Sequence, residues 1–258
     1  MTDEITSDIR DGTLWITFNR PEARNAMTFG MYKELARLCS EVPTDGSVLA
    51  VVISGAGGKA FAAGTDMTQF RAFATEQDAL DYEDQINDVL NAVDRCALPT
   101  VAAIHGACTG GGASIAAACD IRITSAQLKY GLPIARTLGN CLNAGNIARL
   151  TELIGAGRVR EMILTARLVG ADEALAIGLV SEVLADEAAL LDRAEALAGH
   201  LGGMAPLTLR ATKEAMRRNR TALTVEDSDL ITMCYMSADF KHGLEAFLAK
   251  QKPQWSGR

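Results

Sequence analysis

The sequence predicts an α/β protein whose strands are buried and largely parallel. Residues 48–54 and 100–104 form near-continuous apolar runs, which are typical of strands covered on both faces. Residues 13–18 and 121–124 provide two further strand candidates. Apolar residues recur at helical spacing over 86–93, between two of the strands. Because parallel strands require crossover connections, this alternation places helices outside the sheet.

The chain divides into a mixed first part and a mostly helical last part. Thr28 can cap a helix that carries apolar residues over 31–38. After about Leu150 the strand signals thin out, and residues 178–183 provide the last strand candidate. Apolar residues at helical spacing over 190–201 mark a late helix. We therefore predict a core over residues 1–195 and a helical C-terminal region over residues 196–258.

Composition and charge exclude several functional classes. The 258 residues carry 25 basic and 32 acidic side chains, for a formal net charge of −7, which leaves no broad basic footprint for nucleic acid. Apolar runs fall far short of the roughly 20 residues that a membrane span needs. The N-terminus is acidic and polar, unlike a secretory signal. The six cysteines show no C-x-x-C spacing, so we expect reduced thiols in a cytoplasmic protein without a metal site.

Three local motifs resemble functional sites, but the residues around them favour structural roles. Residues 55–60 fit G-x-G-x-x-A, but no helical pattern follows them, which argues against a dinucleotide or phosphate loop. Ser114 resembles the serine of a nucleophile elbow, yet it lies about ten residues beyond the strand that such a turn requires. We expect a small residue at a helix contact there. His105 ends an apolar strand and is expected to be a hydrogen-bonded core histidine.

Two glycine-rich turns remain as a candidate site. One spans residues 62–66 and the other residues 110–112, each following a predicted strand. Ligands of parallel α/β sheets bind at the carboxyl ends of strands. Two backbone N–H groups that converge there would form an oxyanion hole, the second at a helix N-terminus. Alternatively, both segments are tight turns packed by small residues.

Five segments resemble motifs of the crotonase superfamily, which includes the enoyl-CoA hydratases and isomerases. They cover nearly the whole chain and occur in the family's order. The matching segments are N-R-P-x-x-x-N-A-M at 19–27, K-A-F-A-A-G-T-D-M at 59–67, I-H-G-A-C-T-G-G-G at 104–112, A-L-A-I-G-L-V at 174–180, and G-L-E-A-F with K-Q-K-P at 243–253.

The resemblance implies a fold and an assembly. It implies a spiral core of stacked ββα units with a helical C-terminal trimerisation region, assembled into a homotrimer or hexamer. The implied ligand is an acyl-CoA thioester, with coenzyme A as part of the substrate and no separate cofactor. No nucleic acid and no membrane is expected as a partner.

The resemblance also implies roles for particular residues. By matching position, the backbone N–H groups of Thr65 and Gly111 form the oxyanion hole. The loop that carries Thr65 contacts the adenine or pantetheine part of coenzyme A through its backbone. Arg24 is a candidate partner for the phosphates, and Lys250 or Lys252 of a neighbouring subunit is another. The loop residues that the resemblance assigns to coenzyme A binding are Ala62, Ala63, Gly64, Asp66 and Met67.

Two departures from the family pattern concern acid–base catalysis. The family's hydratases carry two glutamates, one placed two residues after the G-G-G triplet and one after the proline of an F-G-x-P-E segment. Here the first position is Ser114. The second segment is Y-G-L-P at 130–133, followed by Ile134. The sequence therefore lacks the pair of carboxylates through which the family's hydratases add water.

The loop over residues 136–146 is a further departure. Arg136 is a candidate to bind an anionic acyl group, and the loop's asparagines are candidate donors to it. Alternatively, the asparagines cap the loop's own turns. Cys141 is a weaker candidate nucleophile, and Asp66 is expected to support its loop rather than to react.

These observations lead to two hypotheses. The first is an acyl-CoA lyase or isomerase that stabilises a thioester enolate in the Thr65/Gly111 hole, with Ser114 and Arg136 as subsidiary catalytic candidates. The second is a non-catalytic acyl-CoA-binding or assembly subunit that has kept the scaffold.

Overall fold

The computed structural model describes residues 4–222 and 226–257. Within them the strands are β1 (Ile5–Arg10), β2 (Thr13–Phe18), β3 (Ala50–Gly55), β4 (Ala60–Ala63), β5 (Thr100–Ile104), β6 (Ala107–Thr109), β7 (Ile121–Ser125), β8 (Lys129–Gly131) and β9 (Glu182–Leu184). The helices are α1 (Phe29–Ser40), α2 (Glu76–Asp94), α3 (Gly111–Ala118), α4 (Ile134–Thr137), α5 (Ala144–Ile154), α6 (Ala156–Leu164), α7 (Ala171–Ala176), α8 (Glu187–Gly202), α9 (Pro206–Arg220), α10 (Ser228–Tyr235) and α11 (Ala238–Leu248). Short 3-10 turns occupy Pro21–Ala23 and Met67–Ala72.

The strands form two sheets that are linked by a repeating unit. The larger sheet has the order β1-β2-β3-β5-β7-β9, and the smaller sheet has the order β4-β6-β8. Apart from the antiparallel β1–β2 pair, neighbouring strands are parallel. Three successive units place one strand in the larger sheet, one in the smaller sheet, and then a helix. This arrangement confirms the predicted α/β spiral of ββα units.

Strand β3 is buried because helices cover both faces of the larger sheet. On one face Val51 and Ile53 belong to the main core, which also receives side chains of α1, α2 and α3. On the other face Val52 packs with Leu190 and Ala194 of α8. A strand covered in this way carries apolar residues at consecutive positions, which explains the run that predicted it.

The local sequence pattern did not predict the individual strands of the smaller sheet. Its strands β4, β6 and β8 are three or four residues long and consist largely of small residues. Such residues have weak strand preference, so the sequence pattern over residues 61–66 indicated a loop of small residues rather than a strand. Tertiary pairing between successive units makes them strands. Because β4 rather than a helix follows residues 55–60, the argument against a dinucleotide loop there is confirmed.

Other element boundaries are close to the sequence predictions. Helix α1 begins after Thr28, whose hydroxyl oxygen accepts a hydrogen bond from Met31 N at 3.2 Å. The strand predicted over 178–183 is instead β9 at Glu182–Leu184. The preceding residues form a turn that is fixed by Arg122, whose Nε donates to Leu179 O at 2.8 Å. The polar edge strand β1 was not predicted, because only one of its six residues is buried.

The C-terminal helices differ in how they pack on the rest of the chain. Helix α8 packs on the larger sheet on both sides of residue 195, so the predicted domain boundary falls inside this helix. Helices α10 and α11 pack through Tyr235 and Phe240 against Phe70, next to α2. In α9, which is described over its full length, no residue is buried. No helix in the described ranges is long and apolar enough to cross a bilayer.

Arg20 and Asn25 fix the connection that precedes α1. The Asn25 side chain is fully buried, and its Nδ2 donates to Ala56 O at 2.9 Å and to Ala60 O at 2.8 Å. Its Oδ1 accepts from Arg20 N at 2.9 Å. The Asn25 backbone has φ +55°, a left-handed conformation that asparagine tolerates better than most residues. These contacts give a structural reason for the asparagine of the N-R-P-x-x-x-N motif.

We expect Asn25→Ala to lower the free energy of unfolding by about 2–4 kcal/mol, because buried backbone groups lose their partners. Urea denaturation at a fixed protein concentration measures this. The exposed Asn219 on α9 provides the matched control, and Asn219→Ala is expected to change the same quantity by less than about 0.5 kcal/mol. An equally small effect of Asn25→Ala would contradict the assignment.

Candidate active site

The two glycine-rich turns lie side by side at the carboxyl ends of β4 and β6, not directly after the buried strands β3 and β5 as the sequence predicted. These strands are parallel neighbours, and Ala63 pairs with Thr109. A Cβ atom built on Gly110 would lie 3.3 Å from Gly64 Cα, which shows how closely the two backbones approach. The structure thus brings together the two turns that the sequence singled out.

Among the described residues, the backbone N–H groups of Thr65 and Gly111 are not used by the hydrogen bonds that hold their turns. Met27 N donates to Gly64 O and Asp66 N donates to Met27 O, both at 2.8 Å, so the bridge between these segments does not use Thr65 N. Gly111 is the first residue of α3, where N–H groups have no acceptor within the helix. Both residues line one cavity. The two residues that carry these donors, one of them at the positive end of a helix, thus line a common cavity.

The Thr65 hydroxyl and the Tyr32 phenol hold the two turns in place. Thr65 Oγ1 lies 2.9 Å from Tyr32 Oη and 3.1 Å from Tyr82 Oη. Burial raises the pKa of both phenols, which keeps them neutral. A Cβ atom on Gly111 would lie 1.8 Å from Tyr32 Oη, so glycine is required by lack of space.

The cavity beside the two turns has a volume of about 130 Å³ and a largely apolar wall. Its apolar lining residues include Met67, Phe70, Ile86, Ile134, Leu138, Leu142 and Phe247. Its polar lining residues include Glu83, Ser114, Thr137, Asn140 and Asn146. Apolar walls with a few convergent polar groups are typical of small-molecule sites.

Ser114 and Ile134 both line this cavity. Ser114 is buried within α3, its hydroxyl donates to Gly110 O at 3.3 Å, and its Oγ accepts from Asn146 Nδ2 at 2.7 Å. Ile134 begins α4 and presents a buried aliphatic side chain. Neither group gains or loses a proton in the physiological pH range.

A profile of the family described as "Enoyl-CoA hydratase/isomerase" matches residues 8–258. The chain belongs to this family, within the crotonase superfamily. A short-chain-enoyl-CoA hydratase of Clostridium acetobutylicum is 35% identical over 242 residues, which are 92% of this chain and 91% of the relative. A mitochondrial Δ(3,5)-Δ(2,4)-dienoyl-CoA isomerase of Homo sapiens is 33% identical over 235 residues, 87% of this chain and 71% of the relative.

Solved structures of the family share the fold. A crystal structure of an enoyl-CoA hydratase/carnithine racemase from Magnetospirillum magneticum matches with a TM-score of 0.79 and 33% identity, over 100% of this chain and 97% of that chain. A methylmalonyl-CoA decarboxylase matches with a TM-score of 0.90 at 24% identity, covering all of both chains. The latter likeness concerns the fold alone.

The loop residues assigned by family resemblance have different positions. Ala63, Gly64 and Met67 line the cavity with Thr65. Ala62 is buried beneath α3, where a Cβ on Gly112 would lie 2.3 Å from Ala62 O.

Asp66 supports this loop of the family fold. Its carboxylate pairs with Arg20 Nη2 at 3.1 Å and caps the following turn by accepting from Thr68 N at 3.1 Å. Partial burial opposes its ionisation, but hydrogen bonds from Thr68 and Arg20 outweigh burial and hold the pKa of Asp66 below its usual value.

The cations suggested by the sequence lie at the surface instead. Arg24 is exposed in a left-handed turn, and its carbonyl accepts from Ala63 N at 3.0 Å. Arg136 is exposed on α4 and does not line the cavity within the described chain. Lys250 and Lys252 are exposed after α11. The Arg24 backbone thus contacts the strip at residues 62–66. Phosphate pairing by the Arg24 side chain and by Lys250 or Lys252 of a neighbouring subunit stays a prediction.

The alternative nucleophiles do not assemble a catalytic group. His105, expected to be a core histidine, has Nε2 at 2.7 Å from Gly58 O and Nδ1 at 2.8 Å from Ser125 Oγ. None of the three histidines, all of them in the described ranges, lines the cavity. Cys141 packs beside α10, with Sγ donating to Leu230 O at 3.7 Å. Ser114 therefore has no histidine base in the cavity.

Glu83 is the functional candidate that the sequence interpretation missed. It is 5% exposed on α2 and is the only carboxylate among the described residues that line the cavity. Burial raises its pKa, and hydrogen bonds from Tyr235 and Asn143 partly oppose that rise. A sequence signal existed, because Glu83 falls on the buried stripe that Ala79, Ile86 and Leu90 define at helical spacing.

We expect Gly111→Ala to lower the free energy of unfolding by about 1–3 kcal/mol, because its methyl group has no room beside the Tyr32 hydroxyl. In a Tyr32→Phe background most of this loss is expected to disappear, a coupling that a double-mutant cycle in urea measures.

The control for this cycle is Gly199→Ala in α8, where a Cβ meets nothing within 4 Å. That change is expected to raise stability by up to about 1 kcal/mol. Additive effects of Gly111→Ala and Tyr32→Phe would contradict the steric explanation.

Proposed function

We propose that this chain binds an acyl-CoA thioester and stabilises its enolate, with the thioester carbonyl oxygen between the N–H groups of Thr65 and Gly111. The proposal is supported by the position of these two residues, which follow adjacent strand ends and line one largely apolar cavity. Coenzyme A enters as part of the substrate, and no separate cofactor takes part. The reaction class is that of an acyl-CoA isomerase or lyase.

The proposed chemistry follows from where charge develops. When the carbon next to the carbonyl loses a proton, the C–H electron pair forms a carbon–carbon double bond and the carbonyl π pair moves to oxygen. Preorganised N–H donors in a site that excludes water stabilise that oxygen strongly. The dipole of α3 adds to this effect at Gly111. The site is therefore matched to the enolate better than to the neutral thioester.

The strip of residues 62–67 is the proposed contact for the pantetheine and adenine parts of the substrate. Ala63 and Gly64 lie at the carboxyl end of β4, and both line the cavity together with Met67. Ala62 and Asp66 support this strip from beneath and beside it. The exposed Arg24, and Lys250 of a neighbouring copy, are proposed partners for the phosphates.

A second candidate function is acyl-CoA binding without catalysis. It is favoured by the neutral side chains of Ser114 and Ile134 at the positions where the family resemblance places two glutamates. Under this alternative the chain binds thioesters through the same turns but transfers no proton.

Deuterium exchange separates the two functions. Butanoyl-CoA is incubated with the protein in D₂O, and mass spectrometry follows deuterium at the carbon next to the thioester carbonyl. Calorimetry measures binding of the same thioester. We expect binding and exchange. Binding without exchange would establish the second function, and absence of both would contradict the proposed site. A parallel assay with crotonyl-CoA tests for hydration.

We expect removal of the Gly111 N–H to slow exchange by about 10²–10³-fold, the usual effect of losing one oxyanion donor. The variant is Gly111→Pro in a Tyr32→Phe background, since proline is tolerated at the first helical position. Gly111→Ala in the same background is the matched control, because it adds a Cβ at the same position but keeps the N–H. Equal exchange rates in the two double variants would overturn the role of this donor.

We also propose that the helical C-terminal region mediates assembly into a homotrimer or hexamer. Helix α9 presents Leu207 and Met216, which are 77% and 55% exposed. Large exposed apolar surfaces often mark interaction sites.

We expect the wild-type protein to sediment as a trimer or hexamer, and Leu207→Lys with Met216→Lys to sediment as smaller species. Charged groups at both positions would be buried without partners in such an interface. The control is Leu164→Lys on α6, where the leucine is 76% exposed. A wild-type monomer would contradict the proposal.

A further inference from the structure

We propose that the Glu83 carboxylate is the proton-transfer group of this site, taking the proton from the carbon next to the thioester carbonyl and returning it. This inference rests on the proposed enolate chemistry and adds the residue that moves the proton. It assigns the acid–base function to α2, an element different from those that carry Ser114 and Ile134.

Location is the first argument for Glu83. Glu83 lines the same cavity as Thr65 and Gly111, and within the described chain no other residue with a carboxylate does so. A proton-transfer group must reach the carbon whose charge the oxyanion donors stabilise. Ser114 has no basic oxygen to offer, and Ile134 has no polar atom. Glu83 is therefore the group in the cavity with the required chemistry.

Orientation is the second argument. Tyr235 Oη donates to Glu83 Oε1 at 2.6 Å, and Asn143 Nδ2 donates to Oε2 at 3.0 Å. An ionised carboxylate offers about four lone-pair positions, so each oxygen keeps acceptor capacity after these contacts. Both donors are neutral, and no cation neutralises Glu83 in an ion pair in the described ranges. The carboxylate is thus held in place without being neutralised.

The surroundings of Glu83 raise its pKa above the ordinary value of a glutamate and so make it a stronger base. Burial in the aromatic cluster raises the pKa of Glu83, and the nearby Asp227 raises it further. Tyr235 and Asn143 lower it by hydrogen bonding to the charged form. The adjacent phenol of Tyr82 is neutral. A catalytic pKa near the working pH gives the most effective proton transfer.

A second cavity offers Glu83 contact with solvent. Glu83 also lines a larger, polar space of about 430 Å³, whose wall includes Asn87, Asn143 and Asp227. A group that exchanges protons with substrate must return to equilibrium with water between turnovers. Because Glu83 lies in the wall between the two spaces, it can exchange its proton with water in the polar one.

An unpartnered amide oxygen gives independent support for a polar ligand here. Asn146 is 2% exposed and lines the cavity, yet its Oδ1 has no hydrogen-bond partner within the described chain. Its Nδ2 donates to Ser114 Oγ, and its backbone N donates to Asn143 Oδ1 at 2.8 Å. Buried acceptors are almost always paired. A substrate hydroxyl or a water molecule beside Glu83 would provide the missing donor.

The proposed step conserves atoms and electrons. Glu83 Oε forms an O–H bond with the proton as the C–H bond breaks, and the C–H electron pair becomes part of the enolate. The developing oxygen charge is held by Thr65 and Gly111. In the return step the Glu83 O–H bond breaks, and the enolate carbon takes the proton. No oxidant, reductant or metal takes part.

Glu83→Gln is the primary test, with exchange of butanoyl-CoA protons in D₂O as the readout. General acid–base groups typically contribute about 10²–10⁴-fold, and we expect a loss in that range with the binding constant for butanoyl-CoA changed less than threefold. The control is Asp88→Asn, an exposed carboxylate on the same helix, which is expected to leave exchange unchanged.

The outcomes separate this inference from the proposed function. If the wild-type protein exchanges protons and Glu83→Gln exchanges them at a similar rate, Glu83 is not the proton-transfer group and the oxyanion role stands. If the wild-type protein binds butanoyl-CoA but exchanges nothing, the proposed function fails and this inference fails with it.

Tyr235→Phe tests whether Glu83 has a purely structural role. The phenol hydrogen bond favours the charged form of Glu83, so its loss raises the Glu83 pKa further. We expect the pH–rate profile of exchange to shift to higher pH, with the rate recovering on the alkaline side. A rate that falls equally at every pH, with an unshifted profile, would assign Tyr235 and Glu83 to structure alone.

Folding of Glu83→Gln is verified by its pH-dependent stability. A carboxyl whose pKa is higher in the folded chain than in the unfolded chain stabilises the folded state below its unfolded pKa, and that stability is lost as pH rises through the folded pKa. Urea denaturation of Glu83→Gln is therefore expected to show a stability gain over wild type that grows with pH. A gain independent of pH would contradict burial of an ionisable Glu83.

Discussion

The close approach of two backbone turns is the constraint on which the site depends. β4 and β6 pair in parallel, and the chain turns directly after each strand at Gly64 and Gly110. Both glycines adopt positive φ, and the next two glycines of α3 have no space for a side chain. A Cβ on Gly112 would collide with Ala62 O at 2.3 Å. Small residues are therefore needed for the turns that carry Thr65 and Gly111 to lie against each other.

The cavity is built mainly from neutral polar groups and apolar walls. Tyr32, Tyr82 and Thr65 form a connected set of hydroxyl groups, and Asn146 connects Ser114 to the turn at Asn143. Buried polar groups that satisfy one another hold fixed positions. In such surroundings a single carboxylate dominates the electrostatic potential, because no other charged residue in the described chain lines the cavity. This is the physical setting in which Glu83 differs from the exposed acidic residues of the same helix.

The C-terminal helices hold the cavity in shape from the other side. Phe70 packs edge-on against Tyr82 with ring centroids 4.8 Å apart, and Tyr235 contacts Phe240 at the same centroid distance.

Asp94 on α2 is 8% exposed at its side chain and pairs with Arg149 at 2.7 Å and Arg220 at 2.6 Å. Such buried pairs are strongly destabilising to break, so they define where α5 and α9 lie relative to α2.

The sequence by itself determined the α/β class, the buried strand at Thr100–Ile104, and the two turns that carry Thr65 and Gly111. These features depend on local patterns: β-branched runs, glycines at strand ends, and motif order. The smaller sheet was decided by tertiary pairing, because its short strands have little preference of their own. The tertiary structure also decided which polar groups meet. Glu83 reaches the cavity only because α2 packs beneath α10, and Arg136 stays outside because α4 turns it toward solvent. A side chain's environment depends on elements far away in sequence, and no local pattern contains that information.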